Sequence, residues 1–235
     1  MSRKDAFKFI ALRALGNFLL LFSIYGVLVT FGPSLVVEGK YRIAQVRGIT
    51  YAVADLPENA PVETVKPKDE LGFGEVLAGS REQILVPKDT DFSIVIPKIG
   101  ASAQVFPNLD PQNEAEFLPY LQRGVAHAKG TVFPGMKGNT YLFAHSTDNW
   151  WNVGRYNAIF YLLKDVAVGD EIVVFFENRR YEYVVDRSII ADPSEVSFLI
   201  NSQSTDKEEL VLQTCWPPGT TWKRLFVIAK PKTAE

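Results

Sequence analysis

No charged residue interrupts the chain between Arg13 and Glu38. In hydrocarbon every backbone N–H and C=O must be paired within the protein, so a lone segment crossing a bilayer has to be a helix. At ~1.5 Å per residue, Ala14 to Val37 makes a helix of about 36 Å, longer than the ~30 Å of a bilayer core. Arg3, Lys4, Lys8 and Arg13 precede the run and only Asp5 opposes them, so the N-terminus is expected inside. Lys40, Arg42 and Arg47 follow it and weaken that asymmetry. A cleaved signal peptide is the rival reading, but the run is long for one and no Ala-x-Ala site follows. The expected organisation is a cytoplasmic N-terminus over 1–13, a transmembrane anchor over 14–37, a stalk over 38–89 and a folded domain over 90–235. That domain is expected outside the cell membrane.

The part beyond the anchor is long enough for one domain with a full core. A net charge of −2 without a basic block gives no footprint for nucleic acid. One cysteine among 235 residues excludes an intramolecular disulfide and any multi-cysteine zinc site. The thiol is therefore either a buried small hydrophobe or a working group. Asp110, Glu114 and Glu116 suit the opening of a helix better than a cation site, so no metal is expected.

Over 41–89 the sequence mixes charges with Pro57, Pro61, Pro67 and Pro87 and keeps no period, apart from a short helix expected near Tyr41 to Val53. From Phe92 the pattern sharpens. Strands are expected at Phe92–Ile96, Ala101–Val105, Thr140–Ala144, Glu171–Phe176, Tyr181–Ile190, Leu210–Thr214 and Leu225–Lys230. Short helical segments fit Glu114–Gln122, Asn157–Leu163 and Asp192–Ile200, the last opened by Asp192-Pro193. Many short strands with brief helices point to a mainly antiparallel β-barrel, not a βαβ fold.

The chemistry concentrates at Thr214-Cys215-Trp216-Pro217-Pro218-Gly219, with Arg224 nine positions after the cysteine. The pattern reads as two strands joined by a Pro/Gly loop, with thiol and guanidinium facing each other across its mouth. A cation there favours thiolate, the nucleophilic form. His145 follows a strand as Cys215 does, and a neutral imidazole suits proton transfer to and from a thiol. His127 falls in a loop-like segment. A hydrogen-bonded structural role is the bland reading for either histidine.

Taken together, these segments resemble the sortase family of cysteine transpeptidases. The resemblance covers about 92–230. It is carried by Gly124-Val125-Ala126-His127-Ala128-Lys129-Gly130-Thr131, Gly138-Asn139-Thr140-Tyr141-Leu142-Phe143-Ala144-His145, Val168-Gly169-Asp170-Glu171-Ile172, and Leu212-Gln213-Thr214-Cys215 through Lys223-Arg224-Leu225. The order His, Thr-Cys, Arg is the specific part. Ala144 stands where many sortases carry glycine, and an aromatic stretch, Ser146 to Asn152, follows the histidine. The short cysteine-to-arginine loop is closest to a class D- or E-like sortase.

The resemblance implies a mainly β fold, an eight-stranded sortase-type barrel with short helices, behind one N-terminal transmembrane helix. It implies Cys215 as nucleophile, His145 as general acid/base and Arg224 as oxyanion stabiliser, with Thr214 as a substrate contact. The implied partners are a Leu-Pro-x-Thr-Gly-like sorting-signal peptide of a surface protein and an amine acceptor, either a cell-wall precursor or a pilin lysine. No cofactor is implied. Two other readings stand beside this one. An L,D-transpeptidase also uses Cys, His and Arg, but sets Ser-His-Gly-Cys immediately before its arginine. A membrane-tethered β-barrel with a degenerate site would bind without catalysing.

Overall fold

The computed structural model describes residues 3–55, 82–146, 159–200, 202–203 and 205–232. A single long helix α1 (Arg3–Arg47) opens the chain. Its stretch Arg3–Thr30 is long and apolar enough to cross a membrane, and its most apolar part is not buried against the rest of the protein. The helix does not give way to a stalk. Its last turns dock on the folded body, where Tyr41 and Ala44 are buried. Strand β1 (Thr50–Val53) then pairs in parallel with β2 (Glu82–Leu85). The expected stalk over 38–89 is thus corrected at both ends, because these residues bury apolar surface on the barrel; 56–81 lies outside the described residues.

The body is a closed barrel of eight strands: β3 (Phe92–Ile96), β4 (Ala101–Leu109), β5 (Val125–Ala128), β6 (Gly138–Phe143), β7 (Glu171–Phe176), β8 (Arg179–Ala191), β9 (Glu208–Trp216) and β10 (Lys223–Pro231). Round the wall the order is β10-β8-β7-β3-β4-β5-β6-β9, with β9 closing on β10. Two of the contacts, β4 with β5 and β6 with β9, are parallel, and the rest are antiparallel. Parallel neighbours need a crossover. Helix α2 (Glu114–Leu121) lies in the first, and the whole β7–β8 hairpin lies in the second.

Strand alternation sorts the side chains into two layers. Ile94, Ile96, Leu142, Ile172, Val174, Leu210, Leu212, Val227 and Ala229 fill the interior. The opposite phase, Tyr141, Phe143, Val211, Phe226 and Ile228, forms a second cluster with Phe117 of α2 and with Phe198 and Leu199 of α3 (Ser197–Ile200). A third patch, Val95, Val173 and Phe175, is covered by Val53 and Leu85 of the small ribbon. Strands buried on both faces lose clean period-two alternation, and for that reason Phe92–Ile96 is buried at every position and apolar at all but Ser93.

The expected strands are present, several of them longer than the sequence suggests. Asp192-Pro193 does not open a helix directly; α3 begins at Ser197, whose N–H donates to Glu195 Oε1 at 2.8 Å. In place of a helical turn over Asn157–Leu163, a 3-10 turn runs from Tyr161 to Asp165, and 157–158 lies outside the described residues. His127 lies not in a loop but in β5, fully buried. Its Nδ1 accepts the Asn108 N–H at 3.3 Å, and Nε2 lies 3.1 Å from the Val132 carbonyl and 3.1 Å from Thr131 Oγ1. Phe133 stacks on the ring at 4.6 Å. Burial holds this imidazole below its ordinary pKa and neutral, so the bland structural reading fits His127.

Candidate active site

The parallel register of β6 and β9 builds the site. Phe143 pairs with Gln213, the Ala144 N–H donates to the Gln213 carbonyl at 3.2 Å, and Thr214 Oγ1 donates to the Ala144 carbonyl at 3.0 Å. His145 stands two residues past Phe143, as Cys215 stands two past Gln213. Imidazole and thiol therefore occupy equivalent positions at the ends of neighbouring strands, although 70 residues separate them in sequence. On the other side of β9, Cys215 and Arg224 are directly opposed cross-strand partners. Directly opposed residues in an antiparallel pair keep their Cβ atoms about 5 Å apart on one face. Cys215 and Arg224 thus lie on adjacent strands at one end of the barrel and His145 just past the end of the next, in phase with Tyr141, Phe143, Val211 and Phe226. His145, Cys215 and Arg224 are all half-buried.

Thr214 has a different place from the one expected. It is 1% exposed, points to the opposite side of β9 from Cys215, and commits its hydroxyl to Ala144. The strand period of two makes neighbours in sequence face opposite sides, so it is a brace between the histidine and cysteine strands and does not share the face of Cys215. Thr214→Val removes that bond and leaves a buried carbonyl with one partner fewer. The expected cost is about 1–2 kcal/mol of unfolding free energy, read as a lower denaturant midpoint at unchanged slope.

The electrostatics of the thiol also differ from the sequence expectation. Burial raises the Cys215 pKa, and the opposing pull of Arg224 does not cancel it. At neutral pH the resting group is a thiol, and it becomes a nucleophile only by losing a proton to a base. The alkylation rate of native Cys215 by iodoacetamide should accordingly reach its half-maximum at higher pH than in the urea-unfolded chain. A native midpoint at or below the unfolded one would show that Arg224 dominates after all.

Arg224 is tied down. One of its terminal nitrogens, Nη1, donates to the carbonyls of Thr221 at 3.1 Å, in the loop back from Cys215, and of Lys223 at 3.2 Å, the first residue of β10. The same guanidinium acts on Tyr141, whose hydroxyl donates to Gln213 Oε1 at 3.4 Å. Burial keeps that phenol un-ionised. Sequence reading did not single out Tyr141 or Gln213. The signal was present: Tyr141, Phe143, His145 and Gln213, Cys215 are each spaced by two, so they share a face with the reactive groups. Of the aromatic stretch Ser146 to Asn152, Ser146 is buried and 147–152 lies outside the described residues.

A closed eight-stranded mixed barrel carries Cys215 and Arg224 on paired strands, with His145 just past the end of the next. The Sortase domain family profile matches residues 94–232, and the chain belongs to the sortase family. Among solved structures, sortase C1 of Streptococcus agalactiae is similar at 25% identity and a TM-score of 0.51, covering 61% of this chain and 68% of that one. Sortase C1 from Streptococcus suis is similar at 24% identity and a TM-score of 0.50, covering 62% and 75%. Clostridium perfringens sortase C, solved with a C-terminal cell wall sorting motif, is similar at 23% identity and a TM-score of 0.50, covering 60% and 70%. No curated protein matches the chain.

Proposed function

We propose that this chain is a membrane-anchored transpeptidase that cleaves a Leu-Pro-x-Thr-Gly-like sorting signal and passes the protein to an amine on the cell surface. The observation that carries this reading is the direct pairing of Cys215 with Arg224, with His145 at the matching end of the next strand. His145 takes the Cys215 proton, and Sγ attacks the Thr carbonyl carbon. The carbonyl π electrons move to oxygen, and the Arg224 guanidinium offers N–H donors and a fixed charge to that oxyanion. The C–N bond to Gly then breaks, and the imidazolium gives its proton to the leaving amine. A thioester remains on Cys215. An amine attacks it and gives its proton to the now neutral His145, the C–S bond breaks with its electrons going to sulfur, and His145 returns the proton to Cys215 with a new amide as product.

The anchor of this reading is Ala14–Val37, with the barrel on the outer face of the cell membrane. The solved sortase C with a sorting motif supports the substrate class. Mass spectrometry of a sorting-peptide library, incubated with and without a glycine-terminated amine and a lysine side-chain amine, identifies cleavage site and acceptor together. Cleavage between Thr and Gly with amine-dependent ligation is the expected result. Cysteine-independent cleavage, or none across the library, removes the proposal.

A further inference from the structure

The apolar run ends at Val37, and the next residue is already bonded to the barrel. Glu38 Oε2 receives Lys164 Nζ at 2.9 Å and Glu38 Oε1 receives Arg42 Nε at 2.8 Å. Lys164 Nζ reaches Asp165 Oδ2 at 2.7 Å, and Arg42 reaches Asp165 Oδ1 at 3.5 Å. Two carboxylates and two cations therefore close a ring, each carboxylate using both oxygens. Isolated exposed pairs contribute little, whereas a network holds its geometry better; here Glu38, Lys164 and Asp165 are partly buried and Arg42 is exposed. Beside the ring Tyr41 enters the same core as Phe160, Leu162, Leu163 and Val166, with Val37 packed against it. An ionic ring beside an inserted aromatic fixes both the position and the rotation of the helix.

The docking point lies at the catalytic end of the barrel. β3, β6, β8 and β9 run toward that end, and β4, β7 and β10 leave from it, as their pairings require. The turn Tyr161–Asp165, which supplies Lys164 and Asp165, leads into β7 there. His145, Cys215 and Arg224 belong to the same end, across the barrel mouth. Eight strands ~4.8 Å apart close on a circumference of about 38 Å, so that mouth is roughly 12–16 Å across.

We propose that Glu38, Tyr41, Arg42, Lys164 and Asp165 are positioning residues that join the anchor to the barrel as one rigid piece and hold the catalytic end at a fixed, short height above the outer leaflet. This rests on the membrane-anchor reading above. A helix that leaves the bilayer at Val37 and is clamped one residue later leaves no slack between lipid and barrel. The height of Cys215 over the surface is then set by the barrel itself, within about 30 Å.

The sole cysteine gives the test its probe. Full-length protein labelled at Cys215 with a thiol-reactive dye is reconstituted into phosphatidylglycerol/phosphatidylethanolamine vesicles carrying a headgroup acceptor in the outer leaflet. Time-resolved energy transfer then reads the height of the dye and its spread. The expected result is a single narrow distribution for the native chain. Glu38→Lys sets a third cation against Lys164 and Arg42 and should at least double the spread. An insertion of about twelve Gly/Ser residues between Pro33 and Ser34 leaves Ala14 to Pro33, about 20 residues and long enough to cross the core, as the span; it adds roughly 19 Å of flexible reach without touching ring or barrel, and should widen the distribution at least as much. A native distribution as wide as that of the insertion variant overturns the clamp, even where Glu38→Lys fails to fold. Failure of the native protein to float with the vesicles overturns the anchor reading instead, and with it the basis of the proposal.

Discussion

Cys215→Ala should abolish both halves of the reaction while leaving the barrel intact. The side chain is half-buried at a strand end and, among the described residues, carries no hydrogen bond on which the fold depends, so truncation costs the packing of one sulfur. Chemically nothing replaces it. No other cysteine exists in the chain, and alanine offers no atom on which an acyl group can rest. The expected loss in turnover is at least about 10³-fold, in keeping with removal of a nucleophile from a unit that works together. Two readouts separate the nucleophile from a structural thiol. Intact-protein mass spectrometry of the native enzyme with a sorting peptide and no amine should show the acyl adduct, and Cys215→Ala should show none. The thermal midpoint should move by only a few degrees. Residual cleavage within tenfold of native would transfer the chemistry to another group and end the cysteine mechanism.

How much of this was legible in the sequence follows from the range of the interactions involved. The strands from Phe92 onward carry their own signal, because apolar alternation and turn residues are local. The hairpin Glu171–Ala191 is of this kind, with Glu177 and Asn178 at positive φ in its turn. The juxtaposition of Cys215 and Arg224 is nearly as local, since one short loop fixes the β9–β10 register. His145 is different. Its place beside Cys215 depends on a parallel pairing across the whole β7–β8 hairpin, which no periodicity encodes, and only the resemblance to a known family supplied it. The docking of α1 was illegible for a related reason. Glu38, Tyr41 and Arg42 look like ordinary residues following a membrane span, and their partners Lys164 and Asp165 lie more than a hundred positions away. The thiol's electrostatics were misjudged because a sequence shows that a cation is near but not how much water the fold removes. Desolvation proved the larger effect.

Arg224→Lys should separate charge from shape at the same site. Lysine keeps a positive charge at this position but presents a compact ammonium in place of a planar fork of donors. The native guanidinium holds the Thr221 and Lys223 carbonyls with Nη1, which leaves its remaining N–H groups to turn toward an oxyanion on Cys215. An ammonium cannot hold those carbonyls and the oxyanion in the same geometry. The expected loss is about 10²-fold in kcat/KM, near 3 kcal/mol of transition-state stabilisation. The alkylation profile of Cys215 supplies the control. Because the charge survives, Arg224→Lys should leave the thiol's midpoint close to native, whereas Arg224→Gln should raise it further by removing the one pull that opposes burial. Both variants should lose turnover, and only the second should shift the thiol. Near-native turnover in Arg224→Lys would reduce the residue to a local charge, and a common shift in both would mean that the loop had moved and carried Cys215 with it.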